Sequence, residues 1–458
     1  MNQPVIVILV DNKRRDLPAS ALIAEHVEKL GGTCVLAPLE AYRSVLQAYK
    51  PSLILFNHLL AMHLVEYSQR LRDIGVKVAV LPNEMLLYHK DFLLFNTRKR
   101  HPDTHVDIYL SWGQFQKKAL IENGYNPNKT KILVIGNPKF DFYFEPYSRF
   151  YLTKDKEESE RPRVLLCTNF CFAVYQDAPK EEVDRFFKLW NDKVPIFKDY
   201  KKAVNVCYKS RNKFIDFLDI IVRSEKYEIT LRPHPGEDSK FYYKYLNALP
   251  ENLRRHVSFD ESSSIYEQIL NCDIEISCET CTTALESWLA KKPTIELIFD
   301  RHEMYYHHEI SLLNEICESP DTLIEKIDYC LENPAQPNYS GIRSAHLKKW
   351  LNSPDGNSSY RVAKILMKEA EGVSPDWSLL NFSDWRRGLK HKLLEFLGKP
   401  CNYNIMDSIR HLWPSGSYSS KEFTQGKTIT PLDVLGARDR VKSIGLIFPG
   451  RQNGMNKN

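Results

Sequence analysis

Short apolar runs, broken by polar turns and by stretches of helical spacing, repeat along most of the chain. Val5-Ile-Val-Ile-Leu-Val10 reads as a buried strand. A polar loop, Asp11-Asn-Lys-Arg-Arg-Asp16, follows it. A helical stretch near 19–30 comes next and stops at Gly31-Gly32. Further strand-like runs lie at 34–36, 53–56, 76–81, 108–110 and 132–135. The segments between them carry helical spacing, as at Met62, Val65 and Leu71. Such β-α-β alternation predicts a parallel, doubly wound sheet.

The texture changes between 140 and 163. Aromatic residues give way to Lys154-Asp-Lys-Glu-Glu-Ser-Glu-Arg-Pro162, a run that suits a surface linker or a solvated helix face equally. Alternation restarts at Val164-Leu-Leu-Cys167, with a long helical stretch at 180–224 and strands at 229–231, 257–259, 274–276 and 294–298. A helix near 319–332 and a helical region at 338–371 follow. The expected fold class is α/β: two Rossmann-like domains facing a cleft, with a mostly helical or irregular C-terminal extension. The expected divisions are residues 1–150, a charged linker at 151–163, a second domain at 164–371 and an extension at 372–458. In that extension Asp384 stands where it could cap a helix over 385–397. Trp385, Leu389, Leu393, Phe396 and Leu397 share one face, and Arg386, Arg387, Lys390 and Lys392 crowd the other side. A basic amphipathic helix of this kind can lie on an anionic membrane. Packing against its own domain is the commoner use of such a stripe. The polar stretch after Pro414 suits a disordered tail.

Composition narrows the class. At 458 residues and 43% hydrophobic, the chain can bury two or three cores. No apolar run approaches the roughly 20 residues that span a bilayer. The first ten residues lack the basic region and cleavage site of a secretory signal. Ten scattered cysteines, several inside apolar runs, suit reduced thiols and a cytoplasmic protein. Cys278 and Cys281, with Cys167 and Cys171, make four thiols, but both pairs touch strand ends and one spacing is loose. Buried or loop thiols, and no metal, are therefore the expectation. A net charge of +5 with no Lys/Arg tract fits an anionic small substrate or an anionic membrane surface better than a nucleic-acid groove.

Candidate chemistry gathers at strand ends, where open α/β sheets bind ligands. Arg232-Pro-His-Pro235 follows one strand, and its two prolines hold His234 in a stiff loop. A guanidinium and an imidazole side by side suit a phosphate. Forty residues on, a strand ending near Ser277 runs through Cys278-Glu-Thr-Cys281 into a helix that starts near Thr282. The free N–H groups of that start attract an anion, and Thr282 and Thr283 add hydroxyls. Glu286 is open between a capping box with Thr283 and a grip on ribose. Gly136-Asn-Pro-Lys-Phe-Asp141 and Thr168-Asn-Phe170 follow two more strands. They offer Asn137, Asp141 and Asn169 as cleft residues or as plain turn chemistry. Glu84, just past another strand, is a candidate general base. Lys13, Arg15 and Asp16, in the first loop, could meet an anionic substrate or form a solvated loop.

Together, Lys13-x-Arg15-Asp16, Gly136-Asn-Pro-Lys-Phe-Asp141, Thr168-Asn-Phe170, Arg232-Pro-His-Pro235 and Cys281-Thr-Thr-Ala-Leu-Glu286 resemble the bacterial surface carbohydrate biosynthesis family. Its members are similar to GT-B glycosyltransferases. Related enzymes with a His-Pro motif transfer Kdo or sialic acid from CMP-activated donors. The resemblance covers roughly residues 1–370. It implies a metal-independent glycosyltransferase of capsule or O-antigen assembly, with CMP-Kdo as the favoured donor and a glycan or lipid-linked glycan as acceptor. No nucleic acid is implied. The enzyme would be cytoplasmic, peripheral on the inner face of the membrane. Arg232 and His234 would hold donor phosphate, Thr282 and Thr283 would add contacts, and Glu286 would face the nucleotide. Glu84 falls where related transferases carry an acidic loop, here Pro82-Asn-Glu-Met85, with one acid and a glycine fewer. The alternatives are a UDP-HexNAc 2-epimerase, a CDP-polyol phosphotransferase and a degenerate assembly scaffold.

Overall fold

The computed structural model describes residues 3–84, 86–153, 161–191, 193–278, 281–352, 354–401 and 426–444. The chain divides into two compact units. The first holds the described residues of Met1–Met85, Asn96–Phe142 and Lys348–Asn458, the second those of Leu86–Phe95 and Tyr143–Leu347. The expected linker run at 154–160 and the tail segments 402–425 and 445–458 lie outside the described residues.

In chain order the first elements are β1 (Val5–Val10), α1 (Leu17–Lys29), β2 (Thr33–Pro38), α2 (Val45–Tyr49), β3 (Leu53–Phe56), α3 (Met62–Ile74), β4 (Lys77–Val80), α4 (Lys90–Thr97), β5 (Ile108–Ser111), α5 (Gln114–Glu122) and β6 (Lys131–Val134). Next come β7 (Arg163–Cys167), α6 (Lys180–Asn191), α7 (Tyr200–Arg223), β8 (Glu228–Arg232), α8 (Ser239–Ala248), α9 (Glu251–Arg254), β9 (Val257–Phe259), α10 (Ile265–Asn271), β10 (Ile274–Cys278), α11 (Thr282–Leu289), β11 (Thr294–Leu297), α12 (His308–Ser311), β12 (Glu315–Cys317) and α13 (Leu323–Glu332). The chain continues through α14 (Pro337–Leu351), α15 (Ser358–Ala370), α16 (Phe382–Phe396) and α17 (Pro431–Lys442).

Every strand pair is parallel. The first sheet runs β2-β1-β3-β4-β5-β6 and the second β12-β11-β10-β7-β8-β9. Parallel strands covered on both faces need near-continuous apolar runs. β1, β3 and β10 supply them, being buried almost throughout. The cores form around Val7, Ile54 and Val78 in the first unit and around Leu166, Ile229 and Ile276 in the second. In each sheet the strand order reverses once. The reversal falls between β1 and β3 in the first sheet and between β7 and β10 in the second. Loops leaving such a switch point diverge and open a crevice at the carboxyl ends of the strands.

Three expectations change. The helical stretch at 180–224 is two helices, because Pro195 opens a 3-10 turn at Pro195–Asp199 between them. The residue capping α16 is Asn381, while Asp384 sits at the third helical position and completes a reciprocal capping box. Helix α15, expected in the second domain, belongs to the first unit. Arg361 on α15 donates to the Ile135 carbonyl at 2.9 Å, and Asp141 caps its N-terminus. Among the described residues, no helix is long and apolar enough to cross a membrane.

Candidate functional site

In the first unit, a cavity of about 270 Å³ opens at the β1/β3 switch point. Asp11, Arg15, Asn57, His58, Asn83 and Glu84 contribute to its wall. The loop after β1 turns on Asn12, whose Oδ1 accepts from the Arg14 and Arg15 N–H groups. That turn aims the Arg15 guanidinium at three carboxylates. Arg15 donates to Asp16 at 2.8 Å, to Asp11 at 2.9 Å and to Glu84. Burial works against the Arg15 charge, but the bond to Asp16 and the charges of Asp16, Glu84 and Asp11 outweigh it and raise its pKa. The loop bearing Glu84 is anchored on both sides. The Trp112 indole donates to the Pro82 carbonyl at 2.8 Å, and Asn83 donates to Asp16 at 3.1 Å. Glu84 itself keeps 62% of its side chain exposed. Asp16 is thus a buried strut, and Glu84 is the carboxylate offered to solvent.

His58 was not singled out from the sequence. It lies two residues past β3, and its Nδ1 is buried in the cavity wall without a partner among the described residues, as is Oδ1 of Asn57. Burial lowers the His58 pKa, which favours a neutral imidazole able to accept a proton. The signal available in the sequence was its place, two residues past an apolar strand run.

Three other expected cleft residues of this unit are engaged elsewhere. Lys13 pairs with Asp433 of α17 at 3.6 Å. Asn137 is buried and turns the chain by accepting from the Lys139 N–H at 3.0 Å. It borders a separate cavity of about 40 Å³ with Asp16 and Asn83. Asp141 is fully buried and accepts from Ser358 N at 3.0 Å, Ser359 N at 2.7 Å and Ser359 Oγ at 2.6 Å. Its carboxylate is committed to the start of α15, where a helix most favours an anion. A substrate role for Asp141 does not fit these contacts.

In the second unit, β8 and β10 flank β7, so the loops after all three leave the same sheet edge at neighbouring positions. Arg232 ends β8, and its Nη1 donates to the Ser263 carbonyl at 2.9 Å and to Gln268 Oε1 at 2.5 Å. His234 is exposed. Its Nδ1 accepts from Gly236 N at 3.1 Å, which places the proton of a neutral ring on Nε2. Glu237 orders this loop. Oε1 accepts from His234 N at 3.0 Å and from Thr168 Oγ1 at 2.7 Å, and Tyr242 donates to Oε2. Glu237 was also missed in the sequence, where it looks like any carboxylate before a helix. Asn169 lies half-buried in the loop after β7.

Helix α11 starts at Thr282 with Cys281 as its cap residue, so Thr283 is inside the first turn. Of the two readings left open for Glu286, the capping box with Thr283 does not form. Thr283 Oγ1 donates to Glu275 at 2.7 Å, and Glu286 accepts from Tyr143 at 2.5 Å. Glu286 is buried, whereas Thr282 is exposed at the helix start. Cys167, the last residue of β7, feels both the Arg232 charge and the Thr283 hydroxyl, and burial pushes its thiol pKa well up. The Cys281 thiol is likewise pushed up by burial, to about 11, and stays protonated near neutral pH. Among the described residues, no group of three His, Cys, Asp or Glu side chains is set to hold a metal.

No family model matches the chain, and no curated protein matches it. Solved structures resemble it in fold. A protein named as a UDP-N-acetylglucosamine 2-epimerase from Listeria monocytogenes is 12% identical, with a TM-score of 0.50, over 81% of this chain and 98% of that one. A glycosyltransferase from Rickettsia africae is 13% identical, with a TM-score of 0.46, over 82% and 100%. Anabaena HepE, solved with UDP-glucose, is 11% identical, with a TM-score of 0.43, over 80% and 100%. The likeness to the Listeria protein extends over nearly all of that chain. At this identity it speaks for the fold, two α/β units with parallel six-stranded sheets in the GT-B manner.

Proposed function

We propose that the protein is a glycosyltransferase that moves a sugar from a nucleotide-activated donor to a glycan or lipid-linked glycan during bacterial surface polysaccharide assembly. It would work peripherally on the cytoplasmic face of a membrane. The observation that carries the reading is the polar set on the second sheet. The Arg232 guanidinium, the Nε2–H of His234 and the exposed start of α11 all belong to loops at one edge beside the β7/β10 switch point. Such donors can neutralise the phosphate that leaves with the nucleotide, the charge that develops in the transition state. Glu286 would bond a ribose hydroxyl in exchange for its bond to Tyr143. The first unit would hold the acceptor in the 270 Å³ cavity, where Glu84 and the neutral His58 are the proton acceptors at hand. Asn169 would line the donor side.

The His-Pro resemblance favours CMP-Kdo as donor. A thermal-shift series with CMP, CDP, UDP and GDP tests this, because a nucleotide that binds only the folded protein raises its Tm. Saturation at a hundredfold over Kd is worth about 2.7 kcal/mol. CMP is expected to raise Tm selectively, and His234→Ala to abolish the shift while leaving the unliganded Tm unchanged. A shift by none of the four removes the donor site. Glu84→Gln and His58→Ala should keep the CMP shift and lose transfer at least a hundredfold in the variant that removes the base.

The likeness to the Listeria protein favours a second reading, a UDP-HexNAc 2-epimerase. The sequence Glu279-Thr-Cys-Thr-Thr283 stands where such epimerases usually carry a Ser-Gly-Gly stretch, which argues against this reading. Incubation with UDP-HexNAc alone separates the two, since an epimerase needs no acceptor. Conversion without acceptor would replace the transferase reading, whereas stabilisation by UDP alone would displace CMP-Kdo as the donor.

A further inference from the structure

Helix α16 is mounted the wrong way round for a soluble protein. An amphipathic helix normally turns its apolar stripe to the core and its polar face to water. Here Asp384, Gly388, His391 and Leu394 are the buried residues. The stripe on the opposite face is exposed: Phe382 at 83%, Leu389 at 73%, Phe396 at 87%, with Trp385, Leu393 and Leu397 half or more exposed.

The orientation is fixed by specific polar contacts within the first unit. Arg70 of α3 donates to Asp384. His391 bonds Ser44 at 3.0 Å through Nδ1 and Tyr49 at 3.2 Å through Nε2. Tyr49 also donates to Glu395 at 2.8 Å. A Cβ on Gly388 would lie 1.8 Å from Gln47 Oε1 and 2.9 Å from its Cβ, so α16 and α2 approach each other closely there. Rolling the helix to bury its apolar stripe would break all of these contacts. The apolar face is therefore presented outward by the packing.

Its surroundings specify the partner. At about 100° per residue, Arg386 and Lys390 border the stripe on one side; Lys392, on the other, is paired with Glu395 at 3.1 Å and lies over the Tyr49 ring. All three are exposed. Lys50 of the neighbouring helix end lies over the Trp385 ring at 5.8 Å. Apolar side chains in the middle, an indole beside them and cations along both borders are the complement of a bilayer surface with anionic headgroups. A second protein chain would need matching carboxylates around an apolar centre.

We propose that α16 is a membrane-docking helix. Its apolar face would enter the boundary between headgroups and acyl chains of an anionic bilayer, with Arg386 and Lys390 on the lipid phosphates. The inference rests only on the peripheral-membrane part of the proposed function. It uses no step of sugar transfer, so vesicle binding and transfer to a soluble acceptor can fail independently.

The test is co-sedimentation of the full chain, without nucleotide, with vesicles of phosphatidylcholine alone or mixed with phosphatidylglycerol. Binding is expected to the mixed vesicles and at least tenfold weaker to phosphatidylcholine. Leu389→Ser with Phe396→Ser should weaken binding at least tenfold, as should Arg386→Glu with Lys390→Glu. Trp385 emission should shift to the blue on binding. Because the replaced side chains are exposed, Leu389→Ser/Phe396→Ser should melt with the wild type. A lower Tm would mean that the chain itself covers this face. A wild-type dimer in sedimentation velocity that the apolar variant abolishes would mean a second copy covers it. Either result, or an absence of vesicle binding, or binding that both variants retain, overturns the proposal.

Discussion

At the scale of single residues, burial decides which carboxylates are available for chemistry. Glu84 is exposed beside a cation, Asp141 is enclosed in a helix cap, and Glu275 is held inside the second sheet. Burial raises the Glu275 pKa from 4.5 to about 8. The bond from Thr283 works against this and the neighbouring Glu296 adds to it. The sign follows from proton counting. Between about pH 4.5 and about pH 8 the folded state keeps a proton that the unfolded chain has lost, so stability falls as pH rises through that window. At pH 7 the penalty is on the order of 3 kcal/mol. Glu275→Gln stays neutral and should flatten this slope. Urea midpoints at pH 5, 6.5 and 8 should diverge in the variant's favour as pH rises, and parallel profiles would mean Glu275 is ionised in the native state.

At the scale of elements, loops at strand ends are fixed by a few close approaches. Gly136, just after β6, has φ +87°, and a Cβ there would meet Ser358 Oγ at 2.5 Å and Arg361 Nη2 at 3.2 Å. The left-handed backbone costs a residue with a Cβ about 1–2 kcal/mol. Overpacking against α15 adds about 1–3 kcal/mol. Gly136→Ala is therefore expected to lower the urea midpoint of the first unit, with little change in tryptophan signals confined to the second. The Gly-Asn-Pro turn was legible in the sequence because glycine and Asn-Pro punctuate a chain strongly. The role of Asp141 was not, since its partners Ser358 and Ser359 lie more than two hundred residues away. Thr283 and Glu286 matched a capping pattern by spacing, but the helix starts two residues before the position that pattern requires, which frees both for other partners.

At the scale of the whole molecule, the C-terminal segment is a structural part of the first unit. Helix α17 lies on α1, where Arg438 donates to Glu28 and to the Cys34 carbonyl at 2.7 Å each. Lys427 pairs with Asp11 at 3.1 Å, and the Lys13 N–H donates to the Gly426 carbonyl at 2.8 Å. These contacts reach the same loop that carries Arg15. Truncation after residue 371 should thus lower the Tm of the first unit by several degrees and weaken any ligand bound in its cavity. A truncated chain that melts like the full one would show the segment to be dispensable.

The sequence by itself determined the strands and their kind. Continuous apolar runs such as 5–10 and 53–56 can be stable only when covered on both faces, so parallel sheets followed from composition and period alone. It also marked the polar groups that end those strands, because turn residues and prolines act locally. Only the tertiary structure decided the strand order, and with it the two switch points that gather Arg15 with Glu84 and set the Arg232 and α11 loops on either side of β7. It also decided which face of α16 meets water. An amphipathic pattern records that a helix has two faces. The burial of one or the other depends on contacts such as Arg70–Asp384 and Ser44–His391, between side chains more than three hundred residues apart.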